Sequence, residues 1–292
     1  MLLSNRYFDE LRCPEVYGLG IDVGSAFTKA VLTKIKENGQ IEVVAYDVIP
    51  TKPDMKRCVH EMFERILKMG GVTKEEVKSI IETGYGSKIV QSEIGGSVVS
   101  EITCHAKGAK YLFPKCRGVI DIGGQDAKAI KLDEEGRVVG FEMNDKCAAG
   151  TGRFLEVMSK VLDVEIDQLG EIYLKAEKKA SITNTCTVFA QSEVISLISQ
   201  GVPKEEIAAG LIEAFASRVA GLAKIVGITR YVVASGGVAK ITGFVKALER
   251  KLGCEIWVPK EPMIVGALGA ALLALSKAAQ QSTNMKIPRQ GL

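Results

Sequence analysis

The chain has 292 residues, of which 47% are hydrophobic and 25% charged, and its net charge is +3. This composition is typical of a soluble globular protein, and the length allows two domains of ordinary size. So small a net charge argues against a nucleic-acid-binding groove and against binding to an anionic membrane surface.

The cysteines and the N-terminus predict a cytoplasmic protein. The seven cysteines are odd in number and none forms a Cys-x-x-Cys pair, so a disulfide framework is not expected. The first residues carry Asp9 and Glu10 and lack the long apolar core of a secretory signal. The longest apolar run, Ile264–Leu275, is shorter than the roughly 18 residues of a membrane span and predicts a buried Ala-rich helix.

Hydrophobic periodicity alternates between two and about 3.6 residues along the chain, which indicates an α/β fold. The predicted strands are Tyr17–Val23, Thr28–Thr33, Ile41–Ile49, Ser79–Thr83, Gly118–Ile122, Ala127–Leu132, Val138–Met143, Tyr231–Ala234 and Glu255–Val258. The predicted helices are Met55–Met69, Glu101–Phe113, Thr151–Leu162, Val188–Ser199, Lys204–Val226, Gly243–Leu252 and Ile264–Ala279.

An internal repeat organises these elements, because Gly20–Thr33 aligns with Val119–Leu132. Five residues recur 99 positions later: Ile21, Asp22, Gly24, Lys29 and Ala30. Two strand–turn–strand units predict two similar lobes that face each other across a cleft. The predicted division is an N-terminal extension (1–16), lobe I (17–115), lobe II (116–280) and a C-terminal tail (281–292).

Each repeat contains an Asp-x-Gly turn, which suits phosphate binding. Glycine lets the backbone approach a phosphate closely, and the aspartates, Asp22 and Asp121, could hold Mg²⁺ directly or through water. A single copy is typical of an ordinary hairpin, but two copies in register favour a nucleotide site with both aspartates as catalytic residues. The candidate cofactor-binding residues of the two hairpins are Gly24, Ser25, Ala26, Lys29, Gly123 and Gly124.

Two further features complete this predicted site. Gly236 and Gly237 follow the strand Tyr231–Ala234, where bare backbone could lie flat against an adenine and ribose. Gln125, directly after the second hairpin, is a candidate for orienting an attacking water, although it could equally be a solvent-facing hairpin residue. Asp126 is a second candidate for that role.

In their order and spacing, these segments resemble the two phosphate motifs and the adenosine motif of the actin/Hsp70/sugar-kinase ATPase superfamily. The resemblance covers about residues 17–280. It implies an α/β fold of two ribonuclease-H-like lobes, with ATP and Mg²⁺ bound in the cleft between them.

Cys147 and Cys186 are candidate metal ligands, because glycines, small residues and polar groups flank them. Each precedes a predicted helix, whose N-terminus would favour a thiolate. A [4Fe–4S] cluster usually takes four thiolates, so a twofold dimer would supply the set. A bridging zinc ion and a pair of inert buried cysteines are the alternatives.

The segments Asn144–Leu155 and Thr185–Ser196 resemble signature segments of the ATPases that activate 2-hydroxyacyl-CoA dehydratases, a family that includes ATPase subunits of benzoyl-CoA reductase. The resemblance implies a homodimer with one [4Fe–4S] cluster held by Cys147 and Cys186. It also implies ATP-driven transfer of low-potential electrons from a flavodoxin or ferredoxin to an iron–sulfur dehydratase or reductase. The ATP motifs would also suit two alternative functions, a small-molecule kinase and an actin- or chaperone-like module.

Overall fold

Two five-stranded sheets with the same strand arrangement form the centre of the molecule. The computed structural model describes residues 16–36, 38–183 and 186–285, with side chains as far as residue 281. The predicted N-terminal extension (1–16) therefore lies outside the described residues except for residue 16, and only the first part of the predicted C-terminal tail (281–292), residues 281–285, is described, as helix.

The first sheet has the order β3-β2-β1-β4-β5, in which β1–β3 form an antiparallel meander and β4 and β5 add in parallel. Its strands are β1 (Tyr17–Val23), β2 (Phe27–Ile35), β3 (Ile41–Pro50), β4 (Val77–Thr83) and β5 (Ser97–Val98). The helices of this part of the chain are α1 (Met55–Gly70), α2 (Ser87–Glu93) and α3 (Glu101–Leu112).

The second sheet repeats this arrangement in the order β10-β9-β6-β7-β8. Its strands are β6 (Gly118–Ile122), β7 (Ala127–Leu132), β8 (Val138–Asn144), β9 (Val232–Ser235) and β10 (Ile256–Trp257). The remaining helices are α4 (Gly152–Leu162), α5 (Gln168–Lys175), α6 (Thr187–Ser199), α7 (Lys204–Val226), α8 (Thr242–Leu252) and α9 (Val265–Met285). The duplicated topology confirms the predicted fold class.

The two phosphate hairpins have the same register. Asp22 lies opposite Lys29 in the β1–β2 pair, and Asp121 lies opposite Lys128 in the β6–β7 pair. Each turn is closed by an equivalent backbone hydrogen bond, in which the N–H of the first glycine, Gly24 or Gly123, donates to the carbonyl three residues later. The sequence repeat is therefore a repeat of backbone geometry.

Helix α1 shows how the sequence sets the ends and the packing face of a helix. The Asp54 side chain accepts a hydrogen bond from the Arg57 N–H at its start, and Gly71 adopts a left-handed conformation at its end. The buried residues recur at the three- and four-residue spacing of a single helix face, and they are Cys58, Val59, Met62, Phe63, Ile66 and Leu67.

Helix α9 returns to the first sheet. Gly20 of β1 permits its close approach, because a Cβ there would lie 2.1 Å from the carbonyl oxygen of Ala267. The segment Pro262–Gln281 is long and apolar enough to cross a membrane, but 72% of its most apolar stretch is buried inside the protein. The expectation of a buried Ala-rich helix is confirmed, although α9 is longer than predicted. The predicted lobe boundary near residue 115 stays a proposal. It assigns most of α9 to lobe II, although this helix packs on β1, β2 and β4 of the first sheet.

A buried acid near the edge of the first sheet makes stability depend on pH. Glu82 on β4 is fully buried, and neither carboxyl oxygen has a hydrogen-bond partner among the described residues. Burial raises the pKa of Glu82 from its ordinary value of 4.5 to about 7. As the pH rises, Glu82 ionises in the unfolded chain at a lower pH than in the folded protein. The free energy of unfolding therefore falls between about pH 4.5 and pH 7, and Glu82 changes it no further above pH 7.

We predict that Glu82→Gln raises the free energy of unfolding at pH 8 by roughly 2 to 3 kcal/mol, because it removes the buried charge, and changes it little at pH 4. Urea unfolding at the two pH values measures the difference. The exposed Glu75→Gln serves as the control and should change stability at neither pH. An equal effect of Glu82→Gln at pH 4 and pH 8 would contradict the assignment.

Candidate functional site

A cavity of about 600 Å³ lies between the two hairpins and the start of α4. All the predicted catalytic and cofactor-binding residues line it: Asp22, Gly24, Ser25, Ala26, Lys29, Asp121, Gly123, Gly124, Gln125, Gly236 and Gly237. The structure therefore brings together three motifs that are far apart in the sequence. Gln125 is exposed at the tip of the second hairpin, on the wall of the cavity.

The two hairpins meet across the cleft. A Cβ added to Gly124 would lie 2.8 Å from the Ala26 Cβ and 3.6 Å from the Ser25 Oγ. Any larger residue at position 124 would hold the hairpins apart. A chain of phosphates between these turns would therefore face backbone from both lobes, and backbone N–H groups at such turns are suited to binding anions.

The adenosine motif lies at the end of β9, beside the second hairpin. Gly236 has a φ of +86°, and a Cβ there would lie 2.2 Å from the Ile122 carbonyl oxygen. Only glycine fits this turn. Gly237, in contrast, has open space where a Cβ would be, so this part of the backbone is accessible from the cavity.

Each aspartate at the cleft floor is paired with a lysine of its own hairpin. The Lys29 Nζ lies 3.0 Å from the Asp22 Oδ2. In the second hairpin, Lys128 lies 3.6 Å from Asp121 Oδ2 and is held more tightly by two other carboxylates, at 2.8 Å from Asp126 and 2.7 Å from Glu101. Two carboxylates facing one cleft suit Mg²⁺, which prefers oxygen ligands.

These buried charges stabilise one another. Lys128 is only 3% exposed, and burial alone would lower its pKa. The three surrounding carboxylates have the larger effect and raise the pKa of Lys128. Burial would likewise raise the pKa of Asp121, but a protonated His105, the charges of the two lysines and the Ser235 hydrogen bond each act to lower it, and the pKa is lowered. Asp121 is therefore a carboxylate in the folded protein.

Sequence reasoning missed three residues of the cleft floor: Glu101, His105 and Lys128. The repeat itself pointed to Lys128, because it aligns with Lys29. Glu101 and His105 lie four residues apart on α3, on one face of the helix, and both reach the second hairpin. The spacing was visible in the sequence, but the hairpin that this face contacts was not.

The two candidate metal-ligating cysteines lie outside the cleft, and both are partly buried. Cys186 is the residue immediately before α6, in an extended conformation. Its segment is tied to the same helix, because the Thr183 N–H donates to the Glu193 carboxylate at 2.7 Å. Cys147 lies in the loop between β8 and α4, where the Asn144 amide donates to the carbonyls of Cys147 and Ala149, each at 2.9 Å.

As predicted, Cys186 comes directly before a helix, although its side chain makes no capping hydrogen bond there, whereas a loop separates Cys147 from its helix. Cys147 lies five residues before α4, and the first N–H groups of that helix have other partners. Gly152 N–H donates to Gly123 O at 2.9 Å, and Arg153 N–H donates to Gly124 O at 2.8 Å. The start of α4 is therefore bound to the second phosphate hairpin.

Three of the other described cysteines are poor metal ligands. Burial raises the pKa of Cys104 to about 12 and of Cys116 to about 11, and it also raises the pKa of Cys254. Among the described residues, no group of three or more Cys, His, Asp or Glu side chains could hold a metal ion. Cys147 and Cys186 of a single chain would therefore need ligands from elsewhere to complete a four-thiolate site.

The duplicated sheets and the cleft between them define an ATPase of the actin/Hsp70/sugar-kinase fold. The chain belongs to the BadF/BadG/BcrA/BcrD ATPase family, whose model matches residues 19–274. The resemblance inferred from the sequence motifs is thus confirmed at the level of fold, family and ATPase activity.

Similar proteins cover nearly the whole chain. The activator of lactoyl-CoA dehydratase from Anaerotignum propionicum is 46% identical over 266 residues, which are 90% of this chain and 99% of the relative. The (R)-2-hydroxyglutaryl-CoA dehydratase activating ATPase of Acidaminococcus fermentans is 44% identical over 265 residues, 91% of this chain and 99% of the relative. The solved structure of the activator of the 2-hydroxyisocaproyl-CoA dehydratase from Clostridium difficile, with bound ADPNP, has a TM-score of 0.84 at 40% identity and covers 94% of this chain and 100% of that one.

We predict that Lys128→Met destabilises the nucleotide-free protein by about 3 kcal/mol, because it leaves three neighbouring carboxylates without their buried cation. Urea unfolding at pH 7 measures the loss, which should shrink at low pH as the carboxylates become protonated. Lys131→Met, on the same strand, is the matched control and should cost less than about 1 kcal/mol. Equal costs for the two variants would contradict the ion-pair network.

Proposed function

We propose that this chain is an ATP-driven electron donor that activates a partner enzyme, a 2-hydroxyacyl-CoA dehydratase. The similar proteins named above as dehydratase activators or activating ATPases support this choice of partner. In the proposed reaction a flavodoxin or ferredoxin supplies the electron, and ATP hydrolysis makes its onward transfer possible. The acceptor is an iron–sulfur centre of the dehydratase.

The single observation that carries this proposal is the bond between the phosphate hairpin and α4. Carbonyls of Gly123 and Gly124 accept hydrogen bonds from the first two residues of α4, and the loop just before that helix carries Cys147. A hairpin that moves with the state of the bound phosphates would move this helix start with it. A kinase or a chaperone-like protein would not need a connection between its phosphate hairpin and a loop that carries a cysteine.

Cys147 and Cys186 fit a thiolate-bound cluster better than the other described cysteines do. Both are partly exposed, and Cys186 is the residue directly before α6. A [4Fe–4S] cluster held by these residues would supply one-electron transfer at low potential. Asn144 would fix the loop of Cys147, and Glu193 the segment that leads to Cys186.

A second copy of the chain would complete the ligand set. Two thiolates from each subunit of a twofold dimer make the four that a [4Fe–4S] cluster takes. The surface beside Cys186 suits such an interface, because Val188 and Phe189 of α6 are 66% and 67% exposed. Large apolar side chains at a surface are typical of residues that a partner covers.

The nucleotide would act through the two hairpins. Asp22 and Asp121 would hold Mg²⁺, the glycine turns and Lys29 would bind the phosphates, and Gln125 would orient the attacking water. Hydrolysis removes the contacts that the last phosphate makes with both lobes. The second hairpin would then shift relative to the first and carry the start of α4, and the loop of Cys147, with it.

We predict that the protein purified without oxygen contains about four irons per dimer, and that Cys147→Ser or Cys186→Ser removes most of them. Iron analysis and the visible spectrum measure the content. Cys254→Ser is the matched control, because Cys254 is also partly exposed, and it should keep the full iron content. Iron retained in both ligand variants would refute the proposed cluster site.

We predict that Gly152→Ala weakens the link between ATP and the cluster. The added Cβ would lie 3.0 Å from the Gly123 carbonyl oxygen, so the helix start must shift away from the hairpin. ATP affinity should stay within a few-fold of wild type, while the ADPNP-induced change in the cluster's EPR spectrum should be lost or greatly reduced. Gly221→Ala on α7, where a Cβ meets nothing within 4 Å, is the control. A normal spectral response in Gly152→Ala would rule out this route.

A further inference from the structure

His105 connects the two halves of the cleft floor. It lies on α3, is 5% exposed, and its Nδ1 is 3.2 Å from the Ser235 Oγ and 3.4 Å from the Asp121 Oδ1. Ser235 is the last residue of β9 and lies opposite Asp121 in the parallel β6–β9 pair. One imidazole thus reaches both the acid of the phosphate hairpin and the strand that leads to the adenosine motif.

The hydrogen-bond pattern fixes which groups donate. The Ser235 hydroxyl donates its one hydrogen to the Asp121 Oδ1 at 2.8 Å. A carboxylate only accepts, so the Ser235 oxygen and Asp121 are both acceptors toward His105. His105 Nδ1 must therefore carry a proton and donate, because a lone pair there would face only other lone pairs. The Ser235 hydroxyl therefore holds Asp121, and its oxygen in turn accepts a hydrogen bond from His105.

The other ring nitrogen is directed toward the first hairpin. A Cβ added to Gly266 on α9 would lie 2.7 Å from His105 Nε2 and 3.1 Å from Asp22 Oδ2. A single methyl group would therefore touch both the imidazole and the aspartate of the first hairpin. Glycine at position 266 keeps this space free, so His105 lies between the two aspartates.

We propose that His105 is a positioning residue for the nucleotide-bound cation, acting through the chain His105–Ser235–Asp121. The inference rests on the proposed function, since it takes Asp22 and Asp121 as the carboxylates that hold Mg²⁺ with ATP. His105 touches neither nucleotide nor metal in this role. Through Ser235 it fixes the Oδ1 of Asp121, so that the carboxylate keeps one orientation when the cation binds.

The test uses the full chain, with Mn²⁺ as the cation and ADPNP as the nucleotide. EPR titration measures Mn²⁺ affinity at saturating ADPNP. We expect His105→Ala to weaken Mn²⁺ binding about tenfold, the size of effect of losing one hydrogen bond. The affinity for ADPNP without a divalent cation should change less than about twofold, because the chain His105–Ser235–Asp121 acts on the carboxylate and not on the nucleotide.

Two substitutions separate this role from mere filling of space. An Asn amide nitrogen can take the place of Nδ1, whereas a Gln amide nitrogen takes the place of Nε2. We expect His105→Asn to restore Mn²⁺ affinity to within about threefold of wild type and His105→Gln to remain as weak as His105→Ala. Ser235→Ala should weaken Mn²⁺ binding as much as His105→Ala does. The double variant should bind Mn²⁺ no more weakly than either single variant, because each substitution breaks the same chain of hydrogen bonds. Urea unfolding of each variant checks that it is folded.

The inference is overturned if His105→Asn and His105→Ala bind Mn²⁺ equally weakly, if the effects of the Ser235 and His105 substitutions add, or if His105→Ala binds Mn²⁺ normally. A failure of the proposed function is distinguishable from these results. In that case the wild-type protein itself would bind no Mn²⁺ with ADPNP, or would bind it normally but contain no iron. The last result would leave the role of His105 at the cation intact.

Discussion

The backbone hydrogen bonds between the second phosphate hairpin and the start of α4 are the contact on which the rest of the structure depends. They join Gly123 and Gly124 to Gly152 and Arg153 without any side chain between them. Peptide groups are planar and a helix of eleven residues is stiff, so little motion at the hairpin can be absorbed before it reaches the helix. The same bonds take the N–H groups that would otherwise be open to Cys147.

Each aspartate of the cleft is paired with a lysine of its own hairpin before any ligand arrives. Lys29 neutralises Asp22, while Lys128 serves Asp121, Asp126 and Glu101 together. A buried carboxylate without a partner would cost several kcal/mol, so these pairs stabilise the empty cleft. Phosphates and a divalent cation can replace such pairs at a small net cost in free energy. Each lysine then exchanges a carboxylate for a phosphate, and each aspartate exchanges a lysine for the cation. Helix α3 adds His105 and Glu101 from one face, which links this helix to the second hairpin.

The sequence allowed most of the strands and the two hairpins to be predicted, because the repeat fixed their register twice. Strand β1 and the hairpin strands β6 and β7 begin and end at the predicted residues. The short elements α2, β5 and α5 were not predicted, since helices of seven and eight residues and a two-residue strand leave little periodicity to detect. Within the site, Lys128 could have been inferred from its match to Lys29. The roles of His105 and Ser235 could not, because their contact spans 130 residues and depends on how α3 crosses the second sheet.

The most direct test of the account is amide hydrogen exchange of the segment 144–156, measured by mass spectrometry in the nucleotide-free, ADP-bound and ADPNP-bound protein. Hydrogen bonds join this segment to the hairpin 122–126. We therefore predict that hydrogen exchange differs between the ADP-bound and ADPNP-bound protein in both segments together. A nucleotide-dependent change in the hairpin with identical exchange of 144–156 in both states would contradict it.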